Sequence, residues 1–430
     1  MTDIDVTDLL VEAPLPALRL LAEAIDREFV RRQPADSTPF EYAAAQLGVD
    51  PTGLVVLEEC PELAVTHAVG HWLHEAQARW SLAPVGSVPA GPAMTQSIPG
   101  AAGDVRGFAA VSVLLPAGTL GAVPVVARIA PHRFGPDVQL IGRAADNAVL
   151  PELFETFLRT CRAESPYRRG AYRVVGSDAG LLLQRWTSRG ASRDLLKLDP
   201  SVWHTVDRRV HRVLDLADDL AARGLGTSTG LLLVGPPGTG KTQLGTVVAH
   251  ELAGRATVLV PDTTVTEHSL TELFELASDL SPSLVLMDDL DLIVGERGET
   301  NPHRLREFLN VMDGGLADRS GVVVIASTND HRKIDKAARR SSRFDTVIKM
   351  EAPGVEGRLA ILERYLAWSD ADLDLAAVAR ATDGATGADL KELVRATVLE
   401  TCDAVTTAAL LTQARAGGWR EPAAAAGQYL

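Results

Sequence analysis

Residues 235 to 242 read Gly-Pro-Pro-Gly-Thr-Gly-Lys-Thr. The combination is that of a phosphate cradle, because the G-x-x-x-x-G-K-T spacing is complete. Gly235, Gly238 and Gly240 let the backbone N–H groups curl around phosphate oxygens, with Pro236, Pro237 and Thr239 between them. Lys241 brings positive charge to the β- and γ-phosphates of a nucleotide, and the Thr242 hydroxyl is a ligand for Mg²⁺. A glycine-rich turn that binds nothing is the other reading of such a run, and the full spacing argues against it.

A second set of chemistry-bearing residues closes an apolar run. Leu284-Val285-Leu286-Met287 is followed by Asp288-Asp289, an arrangement that delivers an acid to the metal side of a bound nucleotide. Asp288 is expected to hold Mg²⁺ through water. For Asp289 and Asp291 a solvated strand end is the competing reading. His67, His71 and His74 share one helix face at i, i+4 and i+7 and have the spacing of metal ligands. Beside Trp72 and Trp80, and with no cysteine or acidic companion pattern, they read instead as ordinary helix-face residues. Arg168-Arg169 and Arg208-Arg209 read as solvated charge rather than as polyanion contacts.

These groups need a scaffold to hold them. From about Leu198 onward, apolar strands at Leu231–Val234, Thr257–Val260, Leu284–Met287 and Val322–Ala326 alternate with helical segments, a pattern that predicts an α/β fold with a mostly parallel sheet. The phosphate loop then falls after a strand and before a helix, where a helix N-terminus adds its dipole. Glu356–Leu366, Leu375–Ala381 and Ala388–Ala404 follow as helices without strands between them, which predicts a small helical lid. Ahead of this half, Leu15, Leu18, Leu21, Ile25 and Phe29 predict an amphipathic helix, and a second is expected over about Glu62–Trp80. Phe108–Leu115, Val123–Ile129 and Val138–Ile141 are β-rich, so an α+β N-terminal domain is expected. The Pro, Gly, Ala and Ser between Ala83 and Gly107 predict a loop. A hairpin is expected where Arg173–Val175 and Leu181–Trp186 flank Gly176-Ser177-Asp178-Ala179-Gly180. The expected boundaries are an N-terminal α+β substrate or adaptor domain over 1–165, a hairpin linker over 166–197, the α/β domain over 198–352, the lid over 353–412 and a flexible tail over 413–430.

Further motifs in order along the same half are Met312-Asp313-Gly314, Ala326-Ser327-Thr328-Asn329, then Asp335, Arg340, Arg343, Phe344 and Asp345, and finally Gly384-Ala385-Thr386-Gly387-Ala388-Asp389. Taken with the phosphate loop and the acidic strand end, this series resembles the AAA family of ring ATPases over about Leu198 to Ala404. The resemblance implies a P-loop motor with ATP and Mg²⁺ as cofactors and a homo-oligomeric ring, expected to be a hexamer. It implies Asn329 as a sensor near the γ-phosphate, Arg340 and Arg343 as arginine fingers acting on a neighbour's nucleotide, and Gly387 and Ala388 beside the adenine. Two arginines three apart at a loop stabilise transition-state charge when a nucleotide reaches them from outside. Pairing with Asp335 and Asp345 is their other reading. Asp289 stands where the family usually carries a glutamate that polarises the attacking water. The Asp-Asp pair and Thr328-Asn329-Asp330-His331 are also similar to the mitochondrial respiratory-complex assembly branch, so slow hydrolysis is expected. Asp262 to His268 holds no Phe or Tyr, whereas threading members place one there to grip substrate.

The final residues, Gly427-Gln428-Tyr429-Leu430, are similar to the tail by which bacterial proteasomal ATPases and proteasome activators dock on the proteasome core. A penultimate tyrosine and a terminal carboxylate on an Ala-rich tether suit capture in a pocket, with affinity multiplied when several tails engage. ATP-driven protein remodelling coupled to a proteasome core is therefore expected, with substrates or an adaptor recruited by the N-terminal domain. Two other readings stay open, a proteasome-independent disassembly chaperone and a nucleotide-gated scaffold that hardly hydrolyses. The chain has 430 residues, 42 basic and 56 acidic, for a net charge of -14. That balance gives no general attraction for nucleic acid or for a membrane surface. Three cysteines far apart fit a reducing compartment. With an acidic start and no apolar run near 20 residues, a cytoplasmic location is expected.

Overall fold

The computed structural model describes residues 38–86, 92–131, 136–177, 180–188, 190–265, 267–290, 321–329, 344, 346–402 and 404–417. The chain forms two compact units, Met1–Arg168 with Ser177–Leu183, and Arg169–Gly176 with Gln184–Leu430.

The first unit is built on a sheet of β1 (Leu54–Glu59), β2 (Met94–Pro99), β3 (Asp104–Leu115), β4 (Val125–Ala130) and β5 (Asp137–Arg143), ordered β1-β5-β4-β3-β2. Its neighbours pair antiparallel throughout. Helices α1 (Pro39–Leu47), α2 (Leu63–Trp80) and α3 (Leu150–Ala163) complete it. Strand alternation sorts the two faces. Val125, Ala127 and Ile129 of β4 join Trp72 of α2 and Phe157 of α3 in one core. Val126 and Ile141 point the other way, to Ala43 and Leu47 of α1. Thr38 and Glu41 form a capping box that opens α1, satisfying N–H groups that lack helical partners. Where α2 crosses β3, a Cβ on Gly70 would lie 2.2 Å from the Phe108 carbonyl oxygen, and one on Gly107 2.9 Å from the His71 nitrogen. Glycine at both positions is what lets helix and strand backbones touch.

A second sheet consists of β6 (Ala171–Ser177), β7 (Gly180–Arg185), β8 (Thr229–Val234), β9 (Thr257–Pro261), β10 (Ser283–Met287), β11 (Val322–Thr328) and β12 (Thr346–Lys349), ordered β12-β8-β11-β10-β9-β6-β7. Its strands lie in the second unit apart from Ser177 and most of β7. From β12 to β6 the pairings are parallel. β8, β10 and β11 are buried along their whole length, as strands covered on both faces must be. The helices before β8 are α4 (Pro200–Val206), α5 (Arg212–Asp215) and α6 (Ala217–Ala222), with a π turn at Asp207–His211; α7 (Lys241–Leu252) and α8 (Glu267–Asp279) follow. The lid is α9 (Val355–Tyr365), α10 (Leu375–Ala381), α11 (Gly387–Thr401) and α12 (Thr407–Ala416), packed around Leu362, Val378, Leu390, Leu393 and Leu410.

The α/β class with an α+β region ahead of it stands as the sequence predicts. Four features depart from expectation. The stretch expected as a loop over 83–107 contains β2 and the start of β3. Its prolines and glycines do not prevent this, because β2 is the edge of its sheet and Pro99 closes it. The hairpin expected as a linker does not stand apart, since β6 pairs with β9 in the large sheet. The segment expected as a tail from 413 begins inside α12, which runs to Ala416 and buries Leu410 and Ala414 in the lid core. Neither β1 nor α3 was foreseen. The expected helix at Leu15–Arg32 lies outside the described residues. Among the described residues, no helix is long and apolar enough to cross a membrane.

Candidate functional site

The parallel register brings the C-terminal ends of three neighbouring strands together. Thr328 of β11 lies opposite Val234 of β8, and Ala326 of β11 opposite Met287 of β10. In open parallel sheets this is the end where ligands bind. Residues just beyond those ends form the site: the loop Gly235–Gly240, then Asp288 and Asp289, then Asn329.

The loop is shaped by glycine. Gly238 and Gly240 adopt φ 78 and 93, in the left-handed region that other residues avoid. A Cβ on Gly235 would fall 2.0 Å from the Met350 carbonyl oxygen, so no side chain fits there. Thr239 is buried and donates its hydroxyl to the Pro236 carbonyl at 2.9 Å, tying the turn to itself. Lys241 opens α7 and is 6% exposed. Its Nζ donates to the carbonyls of Gly235 and Pro236 at 2.8 Å each and to Asn329 Oδ1 at 2.7 Å. A buried ammonium directed by these oxygens is placed to meet an anion at the loop. Thr242 is exposed in the first turn of α7.

On the neighbouring strands the polar groups run on in a chain. Asn329 Nδ2 donates to Asp289 Oδ1 at 3.1 Å. Asp289 N–H donates to Ser327 Oγ at 2.9 Å, and Ser327 Oγ donates to Asp288 Oδ1 at 2.5 Å. The structure therefore brings Lys241, Asn329, Asp289 and Asp288 into one hydrogen-bonded series. The lid closes on the same loop. Ala388 N–H donates to the Gly238 carbonyl at 3.3 Å, and a Cβ on Gly238 would meet Thr386 Oγ1 at 2.6 Å and Ala388 Cβ at 2.9 Å. Gly387 lies against the same carbonyl, 3.5 Å from where its own Cβ would stand. The Thr386–Asp389 capping box fixes the start of α11 at that point.

The residues suit a magnesium nucleotide. A glycine loop that added Cβ atoms would fill, a buried ammonium, a hydroxyl at the helix start and a carboxylate at the adjacent strand end make a phosphate and hard-cation donor set. Two contributors carried no assigned role in the sequence reading. Ser327 had a sequence signal, a hydroxyl after an unbroken apolar run in a buried strand. Leu196, whose Cδ1 sits 2.9 Å from a Cβ on Gly240, had none.

Asp291, Met312 to Gly314, Asp335, Arg340, Arg343, Asp345 and the tail residues Gln428, Tyr429 and Leu430 lie outside the described residues, as does the side chain of His268. The three histidines of α2 go to separate partners. His67 Nδ1 meets the Tyr167 hydroxyl at 2.6 Å, His71 Nδ1 meets the Arg106 carbonyl at 3.0 Å, and His74 lies 5.5 Å, ring to ring, from Phe108. Burial pushes the His67 imidazole down to about 4.

Residues 231–352 match the family model described as ATPase family associated with various cellular activities (AAA). Over 185 residues the chain is 38% identical to a proteasome-activating nucleotidase of Methanosphaerula palustris, a match covering 40% of this chain and 45% of that protein. It is 37% identical over 185 residues to a cell division cycle protein 48 homolog of Archaeoglobus fulgidus, covering 40% of this chain and 25% of the relative. Against an ATP-dependent zinc metalloprotease FtsH of Synechococcus sp. it is 33% identical over 233 residues, 48% of this chain and 36% of that protein. The chain thus spans less than half the length of the curated relatives it matches.

Proposed function

We propose, taking as premise that residues 231–352 are an AAA ATPase domain, that the chain hydrolyses ATP and couples the reaction to remodelling of protein substrates. The observation that carries this reading is the hydrogen-bonded series from Lys241 through Asn329 to Asp289, which links the phosphate-binding ammonium to the carboxylate suited to orient water. The loop amides and Lys241 bind the phosphates. Mg²⁺, held by Thr242 and Asp288, would supply charge neutralisation on the β- and γ-oxygens. Asp289 accepts a hydrogen bond from the attacking water, whose oxygen bonds to the γ-phosphorus as the bond to the bridging oxygen breaks. The water's protons leave with the phosphate and with solvent, and ADP remains. Asn329 senses the γ-phosphate, since Lys241 cannot fully engage phosphate oxygens without loosening its hold on Asn329 Oδ1. Gly387 and Ala388, already against the loop, flank the base.

The working unit is a homo-oligomeric ring, a hexamer by resemblance, in which Arg340 and Arg343 reach a neighbour's nucleotide. Substrates or an adaptor are recruited through the first unit, and the tail Gln428-Tyr429-Leu430 docks on a proteasome core particle. The tail chemistry and the proteasome-activating name of the relatives support this docking, and three widely spaced cysteines support a cytoplasmic setting. The test uses purified full chain with ATP, a bacterial proteasome core and an unstructured protein substrate. Degradation is expected to rise with the intact chain and to return to the basal rate without Gln428–Leu430. Lys241→Ala is expected to abolish nucleotide binding. Undiminished ATP affinity in that variant would overturn the site. ATP turnover with no core stimulation by either chain would leave a proteasome-independent disassembly chaperone. Turnover below about one per minute, against roughly 1 s⁻¹ or more for typical enzymes, would leave a nucleotide-gated scaffold.

A further inference from the structure

We propose that Ser327 is a positioning residue of the nucleotide site, its single hydroxyl clamping both acidic residues at the end of β10. The proposal rests on the ATPase reading above and assigns a part to a residue that this reading does not use.

Ser327 is 3% exposed, between Ala326 and Thr328, which are wholly buried. A hydroxyl at that depth needs partners, and those it has fix its orientation. An amide N–H only donates, so the oxygen accepts from Asp289 N at 2.9 Å; an ionised carboxylate only accepts, so the hydroxyl hydrogen goes to Asp288 Oδ1 at 2.5 Å. Both bonds leave one oxygen atom, which couples the direction of the Asp288 carboxylate to the plane of the peptide joining Asp288 and Asp289.

That peptide is unusual. Asp289 has φ 46, in the left-handed region that a side chain rarely adopts, and aspartate is among the few residues that tolerate it. The Ser327 bond holds its amide and the Asn329 bond at 3.1 Å holds its carboxylate. An aspartate is one methylene shorter than a glutamate, so its reach toward water depends on where the backbone places it. The left-handed turn, pinned by Ser327, sets that placement. Removing the hydroxyl leaves the amide without this acceptor and releases the metal-side carboxylate to rotate. Lys241 is held directly by the Gly235 and Pro236 carbonyls and Asn329 Oδ1, so phosphate binding is expected to stand.

The test compares the full-length chain with Ser327→Ala and Ser327→Thr, the second retaining a hydroxyl. Three quantities are read: binding of a fluorescent ATP analogue in chelator, affinity for Mn²⁺ with ADP by electron paramagnetic resonance, and kcat and KM for ATP. In Ser327→Ala, metal-free nucleotide affinity and KM are expected to stay within about 2-fold. The Mn²⁺ affinity and kcat are expected to fall by roughly 10-fold or more, and Ser327→Thr is expected to recover most of both. Wild-type Mn²⁺ affinity and kcat in Ser327→Ala would overturn the clamp. So would equal losses in the alanine and threonine variants with both folded, since the hydroxyl would then not be the cause. If the parent chain binds nucleotide and Mn²⁺ but releases no phosphate, the ATPase reading fails. The Mn²⁺ comparison then still decides the clamp by itself, a retained loss supporting it and no loss refuting it.

Discussion

A side chain's surroundings decide what it can do, and the two best-placed polar groups of this chain show different uses of burial. Lys241 is buried among oxygens to which its ammonium donates, which aims it at the phosphate loop. His67 is half-buried in the first unit, where desolvation pushes its imidazole down to about 4 and the Tyr167 hydroxyl is its partner, so its charge is lost. The second case makes stability depend on pH. An unfolded histidine titrates near 6.5. Below that value the unfolded chain binds a proton that the folded unit refuses, so stability is full above 6.5 and falls until about 4. The first unit is expected to lose on the order of a few kcal/mol over that window. His67→Gln keeps a hydrogen-bonding group for Tyr167 and should flatten the acid limb. Urea midpoints at several pH values check this; parallel limbs in the two proteins would reject it. At this scale the phosphate loop was legible because its residues are contiguous. The bond from Asn329 to Asp289 was not, since 40 positions separate them and only the parallel register joins them. The left-handed backbone of Asp289 leaves no mark in the sequence, where an acidic pair reads the same in either conformation.

Elements were legible where their apolar pattern dominated, as in β8, β10 and β11, and obscured where punctuation residues sit at element ends. Pro99 closes β2, and Pro151 lies in the first turn of α3, where a missing N–H costs nothing. Leu150, Leu153, Phe157 and Cys161 keep helical spacing past that proline and all are buried. The close crossing of α2 over β3 was also hidden, because a glycine in a helix reads as weakness until its neighbour is known. Gly70→Ala tests that crossing. Helix propensity alone favours alanine by up to about 1 kcal/mol, but its Cβ would stand 2.2 Å from the Phe108 carbonyl oxygen, a backbone atom that cannot step aside. Overpacking should win, with a net loss of about 1–3 kcal/mol in equilibrium denaturation. A stability gain would mean that the helix can lift off the strand at little cost. Another device operates in the second unit. Arg193 bonds Glu251 at the end of α7 through Nε at 2.6 Å and Nη2 at 2.8 Å, reaches Asp207 at 2.6 Å, and stacks over Trp203 at 4.7 Å. Those carboxylates raise its already high proton affinity. The planar fork ties the segment before α4 to the far end of the phosphate-loop helix, a geometry that lysine would not reproduce.

At the scale of the whole molecule, the proposed mechanism gives a single chain only half a catalytic site. On the proposed reading, the described residues would supply phosphate binding, metal ligation and the water-orienting carboxylate, while Arg340 and Arg343 would act only on a nucleotide held by another copy. Head-to-tail contacts that close into a ring give each copy both duties at once. The arrangement has a test that no single-chain mechanism passes. Lys241→Ala keeps the fingers and loses the site; Arg340→Ala with Arg343→Ala keeps the site and loses the fingers. Each parent alone should be nearly inactive. Mixed one to one, a productive interface needs an intact site facing intact fingers, which random assembly gives at about a quarter of interfaces for a ring of equivalent contacts. Hydrolysis by the mixture should therefore approach a quarter of the wild-type rate, following a bell-shaped dependence on the mixing ratio, with native mass spectrometry reporting that mixed rings form. Mixed rings with no more activity than their parents would place the arginines' action within their own subunit, and the site would then need no neighbour.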